Sequence, residues 1–73
     1  MNYETADLNG QSKIYYQVYN KTDKVYEGWW RVSLGWEFDS VKNAKRYVKQ
    51  HKLKNFEIHK RETITIDKPI IVI

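Results

Sequence analysis

The sequence predicts a single two-layer α+β domain, in which one helix covers one face of an antiparallel β-sheet. Apolar and polar residues alternate in two stretches before residue 37, apolar residues recur at helical spacing between residues 40 and 51, and alternation returns after residue 55. The predicted element order is therefore ββαβ, followed by a short final strand. A helix laid across one sheet face is the simplest arrangement in which these apolar stripes cover each other.

Length and composition limit the size of the core. With 73 residues, of which 41% are hydrophobic and 15% aromatic, the chain is expected to form one compact domain rather than a disordered or collagen-like chain. The absence of cysteine excludes a disulfide framework and a thiolate zinc site. We predict a loosely ordered lead-in over residues 1–12 and a single binding domain over residues 13–73.

Residues 13–36 predict a β-hairpin. β-branched and aromatic residues dominate positions 13–19, and positions 20–24 supply turn-forming side chains before the strand pattern resumes at Val25. The residues predicted to face the core are Ile14, Tyr16, Val18, Tyr26, Trp30, Val32 and Leu34. Those predicted on the opposite, open face are Tyr15, Gln17, Tyr19, Glu27, Trp29 and Arg31. Gly28 lies between bulky neighbours and indicates a bulge or a close backbone approach.

Residues 40–51 predict the helix. Asp39 or Ser40 is the expected N-cap, because a short side chain with an oxygen atom accepts a hydrogen bond from an otherwise unpaired backbone N–H. The predicted buried stripe consists of Val41, Ala44, Tyr47, Val48 and His51.

Alternation from Phe56 predicts a further strand, with His59 and Arg61 on the open sheet face. The charges at residues 60–62 predict a bend or a protruding strand end, after which the alternation returns at Ile64 and Ile66. Residues 67–69 predict a turn, and residues 70–73 predict a short strand at the sheet edge. The alternative for this last segment is pairing with a second copy of the chain, because an uncovered apolar edge recruits another strand.

Neither a catalytic nor a metal site is predicted. His51 and His59 have no carboxylate cluster near them in sequence, and no nucleophile has a base in a suitable position. We therefore expect a non-enzymatic protein without cofactors. No apolar stretch approaches the roughly 20 residues that span a bilayer, and the N-terminal residues lack the pattern of a secretion signal, so the expected location is the cytoplasm.

The positive charge is concentrated on the predicted helix. Net charge is +4, but residues 40–61 alone contain eight Lys or Arg residues and one acidic residue. Lys42, Lys45, Arg46 and Lys49 stand at helical neighbour spacing, and no Asp or Glu occurs from residue 40 to residue 56. Because like charges at this spacing repel, the pattern favours an anionic partner: nucleic acid, or an acidic or nucleic-acid-bound protein. The alternative is that these side chains only keep the protein in solution.

The aromatic residues divide into a core group and a candidate contact group. Trp30 is predicted in the core, and Trp36 is interpreted as a packing residue at the end of the sheet. Trp29 is predicted on the open face, where flat rings beside Arg31 are suited to stack on bases or to anchor a protein interface. The candidate binding residues are Lys42, Lys45, Arg46, Lys49, Arg61, Arg31, Trp29, Tyr15 and Tyr19.

Residues 34–48, LGWEFDSVKNAKRYV, resemble the strand–helix junction of plant APETALA-type and phage-integrase arm-binding domains. The shared features are a Gly-aromatic pair that ends a strand, a short Asp/Thr/Ser cap, and a helix with Ala and an aromatic residue on its buried side. In those families the sheet enters the DNA major groove, so the resemblance implies that Tyr15, Gln17, Trp29 and Arg31 read DNA. This chain has two strands rather than three before the helix.

In length, absence of cysteine and abundance of Lys, Tyr, Asn and Ile, the chain is also similar to small accessory proteins of phages that infect low-GC Gram-positive bacteria. Many of these inhibit host machinery or defence nucleases, and they include anti-CRISPR proteins. Two functional hypotheses follow. The first is nucleic-acid binding through the basic helix and the aromatic sheet face. The second is a phage-type inhibitor that binds a host defence or replication protein in the host cytoplasm. A homodimer formed through the last strand is a third possibility.

Overall fold

The computed structural model describes residues 13–62 and 69–73. In this part of the chain it contains four strands, β1 (Ile14–Asn20), β2 (Val25–Tyr26), β3 (Phe56–Glu62) and β4 (Ile70–Ile71), and one helix, α1 (Val41–Gln50). The strands form an antiparallel sheet in the order β2-β1-β3-β4, and α1 packs against β1 and β3. The predicted α+β class is confirmed. The predicted lead-in and the alternation at Ile64 and Ile66 lie outside the described residues.

β1 and β3 form the centre of the sheet and pair along their whole length, from Ile14 opposite Glu62 to Asn20 opposite Phe56. β3 continues through residues 60–62, so the predicted bend is wrong. The backbone of these residues pairs regularly with β1, and Lys60 and Arg61 lie half-buried along the sheet. Long basic side chains can cover apolar surface with their methylene stems, which is why the strand accommodates these charges without bending.

The core lies between the sheet and α1. Val18 of β1 and Ile58 of β3 are fully buried, and α1 contributes the buried side chains of Ala44, Tyr47 and Val48. The predicted helical stripe is confirmed for these three residues.

Both ends of α1 are defined by specific contacts. The hydroxyl of Ser40 accepts a hydrogen bond from the backbone N–H of Asn43 at 3.1 Å, which confirms Ser40 as the N-cap. His51 follows the helix and is exposed rather than part of the buried stripe. Its ring stacks on the Tyr47 ring, with 4.0 Å between the centroids.

The second half of the predicted hairpin differs from the prediction, because β2 ends after two residues. The Glu27 N–H still donates to the Val18 carbonyl, and Phe38 later returns to pair with Tyr16. Between these points the chain leaves the sheet and forms a series of turns, residues 28–35, which we call the Trp loop. Its ends are joined by a 3.0 Å hydrogen bond from the Trp36 N–H to the Glu27 carbonyl.

The early end of β2 changes which side chains are buried. Trp30, Val32 and Leu34, predicted in the core, are 53%, 46% and 73% exposed. Tyr26 pairs with Tyr19, so its side chain lies on the sheet face opposite α1 rather than in the core. Trp30, Val32 and Leu34 were misplaced because the alternation of residue types continues past Tyr26 whereas the strand does not. Tyr26 was misplaced because its register opposite Tyr19 puts it on the other face.

The last described residues form an edge strand within the chain, as predicted. Ile71 pairs with His59, and the Val72 N–H donates to the Ile58 carbonyl at 2.8 Å. The side chains of Ile70, Ile71, Val72 and Ile73 are nevertheless 40–58% exposed. Pairing of this edge with a second copy stays a prediction.

Candidate nucleic-acid interface

The cationic face of α1 is formed by Lys42, Lys45, Arg46 and Lys49. At 3.6 residues per turn these four positions point away from Ala44, Tyr47 and Val48, and all four are exposed. Among residues 13–62 and 69–73, the ion pairs are Lys13 with Glu37, Lys21 with Glu57, and His59 with Glu57. None of them involves the cationic face. Its four charges are therefore not neutralised by any carboxylate in the described part of the chain.

A groove runs along one side of α1. Asn43, Arg46 and Gln50 line it from the helix, and residues 37–39 line it from the other side. Glu37 in this groove is paired with Lys13, with a distance of 2.6 Å between Oε1 and Nζ, and Asp39 accepts a hydrogen bond from the Asn43 side chain. Because the groove contains two carboxylates, an anion is expected on the outer cationic face of α1 and not within the groove. Arg46 belongs both to the cationic face and to the lining of the groove.

The Trp loop exposes aromatic surface. Trp29 and Trp30 are 52% and 53% exposed, and their ring centroids are 6.4 Å apart. Trp30 also contacts Trp36, at 5.7 Å, and Trp36 contacts Tyr47 of α1, at 5.5 Å. These edge-to-face contacts connect the loop to the helix.

The structure therefore places two candidate residues away from their predicted positions. Trp29 and Arg31 were predicted on the open sheet face, but both are exposed residues of the Trp loop. Their role in binding stays a prediction.

Two glycines fix the base of the Trp loop. Gly28 has a φ of +93° and Gly35 a φ of +90°, in the left-handed region that side-chain-bearing residues avoid. A Cβ at Gly28 would lie 2.6 Å from the Trp36 ring, and one at Gly35 would lie 2.6 Å from the Tyr26 Cβ. Gln17, which is 2% exposed, donates its side-chain N–H to the Leu34 carbonyl. The loop is thus held against the sheet by close contacts, although its outer side chains are exposed.

Glu27 is the buried charged residue that anchors this region. It was predicted to face solvent, but it is 7% exposed and accepts hydrogen bonds from the Tyr47 hydroxyl at 2.6 Å and from the Asn20 side chain at 2.9 Å. The prediction was wrong because it assigned the two faces the wrong way round: Tyr26 lies on the face opposite α1, so the next side chain, that of Glu27, points toward α1. Burial raises the pKa of Tyr47, and the hydrogen bond to Glu27 raises it further.

The sheet face opposite α1 contains a connected side-chain network. His59, which is 6% exposed, contacts the Tyr26 hydroxyl through Nδ1 and the Glu57 carboxylate through Nε2, both at 2.8 Å. Arg61 donates to the Tyr26 hydroxyl at 3.1 Å, and the Tyr19 ring stacks on the imidazole with 5.3 Å between centroids. The hydrogen bond from His59 lowers the pKa of Glu57.

This network changes the interpretation of the open face. Tyr15, Tyr19 and Arg61 lie on the face where they were predicted, and they are half-buried. Gln17 and His59 on the same face are buried. The rings of this face are engaged with each other and with Arg61, so the face offers less flat aromatic surface than the alternation of residues suggested. The most exposed rings are instead those of Trp29 and Trp30, which are about half exposed and which the sequence did not predict to lie together. The two glycines flanking the run Trp-Trp-Arg-Val-Ser-Leu were the signal for a loop.

Within residues 13–62 and 69–73, no cluster of three or more His, Asp or Glu side chains is arranged to hold a metal ion. In the same residues, no helix has the length and apolar character needed to cross a membrane.

No protein-family description matches this chain, and no curated protein or solved structure is significantly similar to it.

Proposed function

We propose that this chain is a non-enzymatic, cytoplasmic binding module for nucleic acid, and that it contacts phosphates through the cationic face of α1. The observation that supports the proposal is the set of four exposed cations without an ion pair in the described residues. Neutralising phosphates with such side chains releases condensed counterions and produces affinity that falls steeply with salt.

The positions of the charges on the helix favour an external anion over a role in solubility alone. Lys42 lies in the first turn, which contains no acidic residue, although the partial positive charge of a helix N-terminus disfavours a cation there. Lys49 alone lies in the last turn, where a cation is favoured. Like charges three and four residues apart also repel. A bound polyanion offsets both effects.

The size of the cationic face sets the expected salt dependence. Lys42 and Lys49 are separated by about 10 Å along the helix axis at 1.5 Å per residue. A nucleic-acid strand carries one charge per about 3.4 Å, so three or four phosphates fit this length. With four contacts, raising salt from 50 to 200 mM is expected to weaken binding about 150-fold for a duplex and about 50-fold for a single strand.

The test is a titration of the protein into fluorescently labelled duplex and single-stranded DNA at these two salt concentrations, followed by anisotropy. Lys45→Gln is expected to weaken binding to every sequence and to flatten the salt slope by about one unit. Lys24→Asn is the matched control. It removes an exposed positive charge from the β1–β2 turn, and Asn tolerates the φ of +60° at that position. Absence of saturable binding at 50 mM salt, or an equal effect of both variants, contradicts the proposal.

A second candidate is a phage-type inhibitor that binds a host defence or replication protein, for example a CRISPR effector, by direct contact. The observation that favours it is the exposure of Trp29 and Trp30 on a loop with a fixed base. Tryptophan is enriched among the residues that dominate protein interfaces, and truncating such a residue costs about 2 kcal/mol or more. This candidate predicts retention of a host protein from nuclease-treated extract by the wild-type chain and loss of that protein with Trp29→Ala. Equal retention by both proteins contradicts it.

A further inference from the structure

We infer that the nucleic acid is single-stranded, with unpaired bases stacking on Trp29 and Trp30 while its phosphates lie along the cationic face of α1. This inference rests on the proposed function and specifies the ligand class of the same surface. It assigns a binding role to the Trp loop, which sequence alternation had placed partly in the core.

The first support is the exposure and orientation of the indole rings of Trp29 and Trp30. Both residues are about half exposed, and their rings meet edge to face at 80°, so the accessible parts of the two rings are turned in different directions. Every base has a flat π-face, so stacking of this kind does not require a particular sequence. In a duplex these faces are covered by the neighbouring base pairs, whereas a single strand presents them.

The second support is that the loop is held in place before any ligand binds. Its base is closed by the hydrogen bond from the Trp36 N–H to the Glu27 carbonyl, and Gly28 approaches the Trp36 ring too closely for any side chain. Gln17 fixes the other end through the Leu34 carbonyl. Contact residues held in position lose less conformational entropy on binding, which favours affinity.

The third support is the continuity between the rings and the cations. Trp30 contacts Trp36 at 5.7 Å, and Trp36 contacts Tyr47 at 5.5 Å. Tyr47 is the next residue after Arg46 on α1, and the two line the same groove. Two ring contacts therefore connect Trp30 to Tyr47, which lines the groove together with Arg46. Aromatic rings beside a positively charged track are the combination that binds single strands without sequence preference.

The charge pattern also distinguishes this ligand from a protein partner. An exposed tryptophan pair alone suits either ligand, since both base stacking and protein interfaces use indole rings. A row of four cations without ion pairs in the described residues favours a partner with closely spaced negative charges. A phosphodiester backbone has this spacing throughout its length. A protein would need an acidic surface of matching length, and we make that case an outcome of the test.

The experiment compares a labelled 12-nucleotide oligo-dT, a labelled 12-base-pair duplex and labelled poly-glutamate at 100 mM salt. Wild-type protein is expected to bind the single strand more tightly than the duplex, and its tryptophan fluorescence is expected to be quenched on binding. Trp29→Ala is expected to weaken single-strand binding by about 5- to 150-fold, the range given by base–aromatic stacking. Its salt slope and its duplex affinity are expected to stay within about twofold of wild type, because the phosphate contacts remain.

Two controls separate stacking from loop damage. Leu34→Ala changes another apolar residue of the Trp loop, 73% exposed, and is expected to leave single-strand binding unchanged. Trp29→Phe retains a ring and is expected to recover part of the affinity lost in Trp29→Ala. Far-ultraviolet circular dichroism of each variant verifies that the fold is intact.

The outcomes distinguish this inference from the proposed function. If single strand and duplex bind equally and Trp29→Ala binds both like wild type, the inference is overturned and the proposed function stands. If neither nucleic acid binds, both are overturned. If poly-glutamate binds as tightly as the single strand and Trp29→Ala weakens both alike, an acidic protein is the ligand and the inference is overturned.

Discussion

Gly28 is the position where one added methyl group tests the described loop most directly. Its φ of +93° lies in the left-handed region, where an alanine carries a strain of about 1–2 kcal/mol. The added Cβ would lie 2.6 Å from Cγ and Cδ2 of Trp36 and 2.8 Å from the Trp36 backbone nitrogen. Because backbone cannot rotate aside as a flexible side chain does, we add an overpacking cost of about 1–3 kcal/mol. Gly28→Ala is therefore expected to lower the free energy of unfolding by about 2–5 kcal/mol.

This loss is large compared with the total stability of the domain. A chain of 73 residues is expected to have a free energy of unfolding of about 4–11 kcal/mol. In urea, with a slope of about 1 kcal/mol/M, the unfolding midpoint is expected to fall by about 2 M or more. Tryptophan fluorescence and circular dichroism follow the transition.

Ser33→Ala is the matched control for this measurement, since Ser33 is an exposed residue of the same loop. Its effect is expected to stay within about 0.5 kcal/mol. An unfolding midpoint of Gly28→Ala equal to that of wild type would refute the close approach of this backbone to Trp36 and, with it, the described conformation of the Trp loop.

Three further substitutions test individual contacts. Tyr47→Phe removes the hydrogen bond to buried Glu27 and is expected to cost about 1.5–3 kcal/mol in urea unfolding. Since the folded state raises the pKa of Tyr47, wild-type stability is expected to be complete below about pH 10 and to fall at higher pH, and Tyr47→Phe should reduce this fall. Ser40→Ala removes the N-cap and is expected to cost about 1 kcal/mol, measured in the same way. Because His59 lowers the pKa of Glu57, the stability that this carboxylate contributes is present above about pH 4.3 and lost as the pH falls through its folded-state value. Glu57→Gln is therefore expected to lower the melting temperature at pH 7 and to make it less sensitive to acid; an acid dependence equal to that of wild type would contradict this.

The helix and the two central strands could be predicted because their signals are local. Ser40 precedes an apolar stripe with helical spacing, and the N-cap depends only on the backbone three residues later. The alternation in β1 continues over seven residues, so the sequence correctly predicted that Gln17 and Val18 point to opposite faces of the sheet. The exposure of the α1 cations followed from the same helical geometry.

The region after Tyr26 could not be predicted because its structure depends on distant contacts. Glu27 is buried because the Tyr47 hydroxyl, twenty residues later, satisfies its carboxylate. The return of the chain to the sheet depends on pairing between Phe38 and Tyr16. Alternation of apolar and polar residues is compatible with either a strand or a loop. In this region two glycines adopt positive φ values, and the chain forms a loop. The exposed position of the cations on α1 was predicted from the sequence. Trp29, by contrast, was predicted on the sheet and lies in the Trp loop.

The Trp loop also affects the ways in which this sheet is able to grow. Its excursion leaves the β2 side with a strand of two residues followed by turns, too short to serve as a template for another chain. On the opposite side, residues 70–73 expose isoleucine and valine side chains, but β4 is also only two residues long. Very short edge strands are one of the ways in which sheets limit pairing with another chain. In the described part of the chain, both outer strands of the sheet are of this kind.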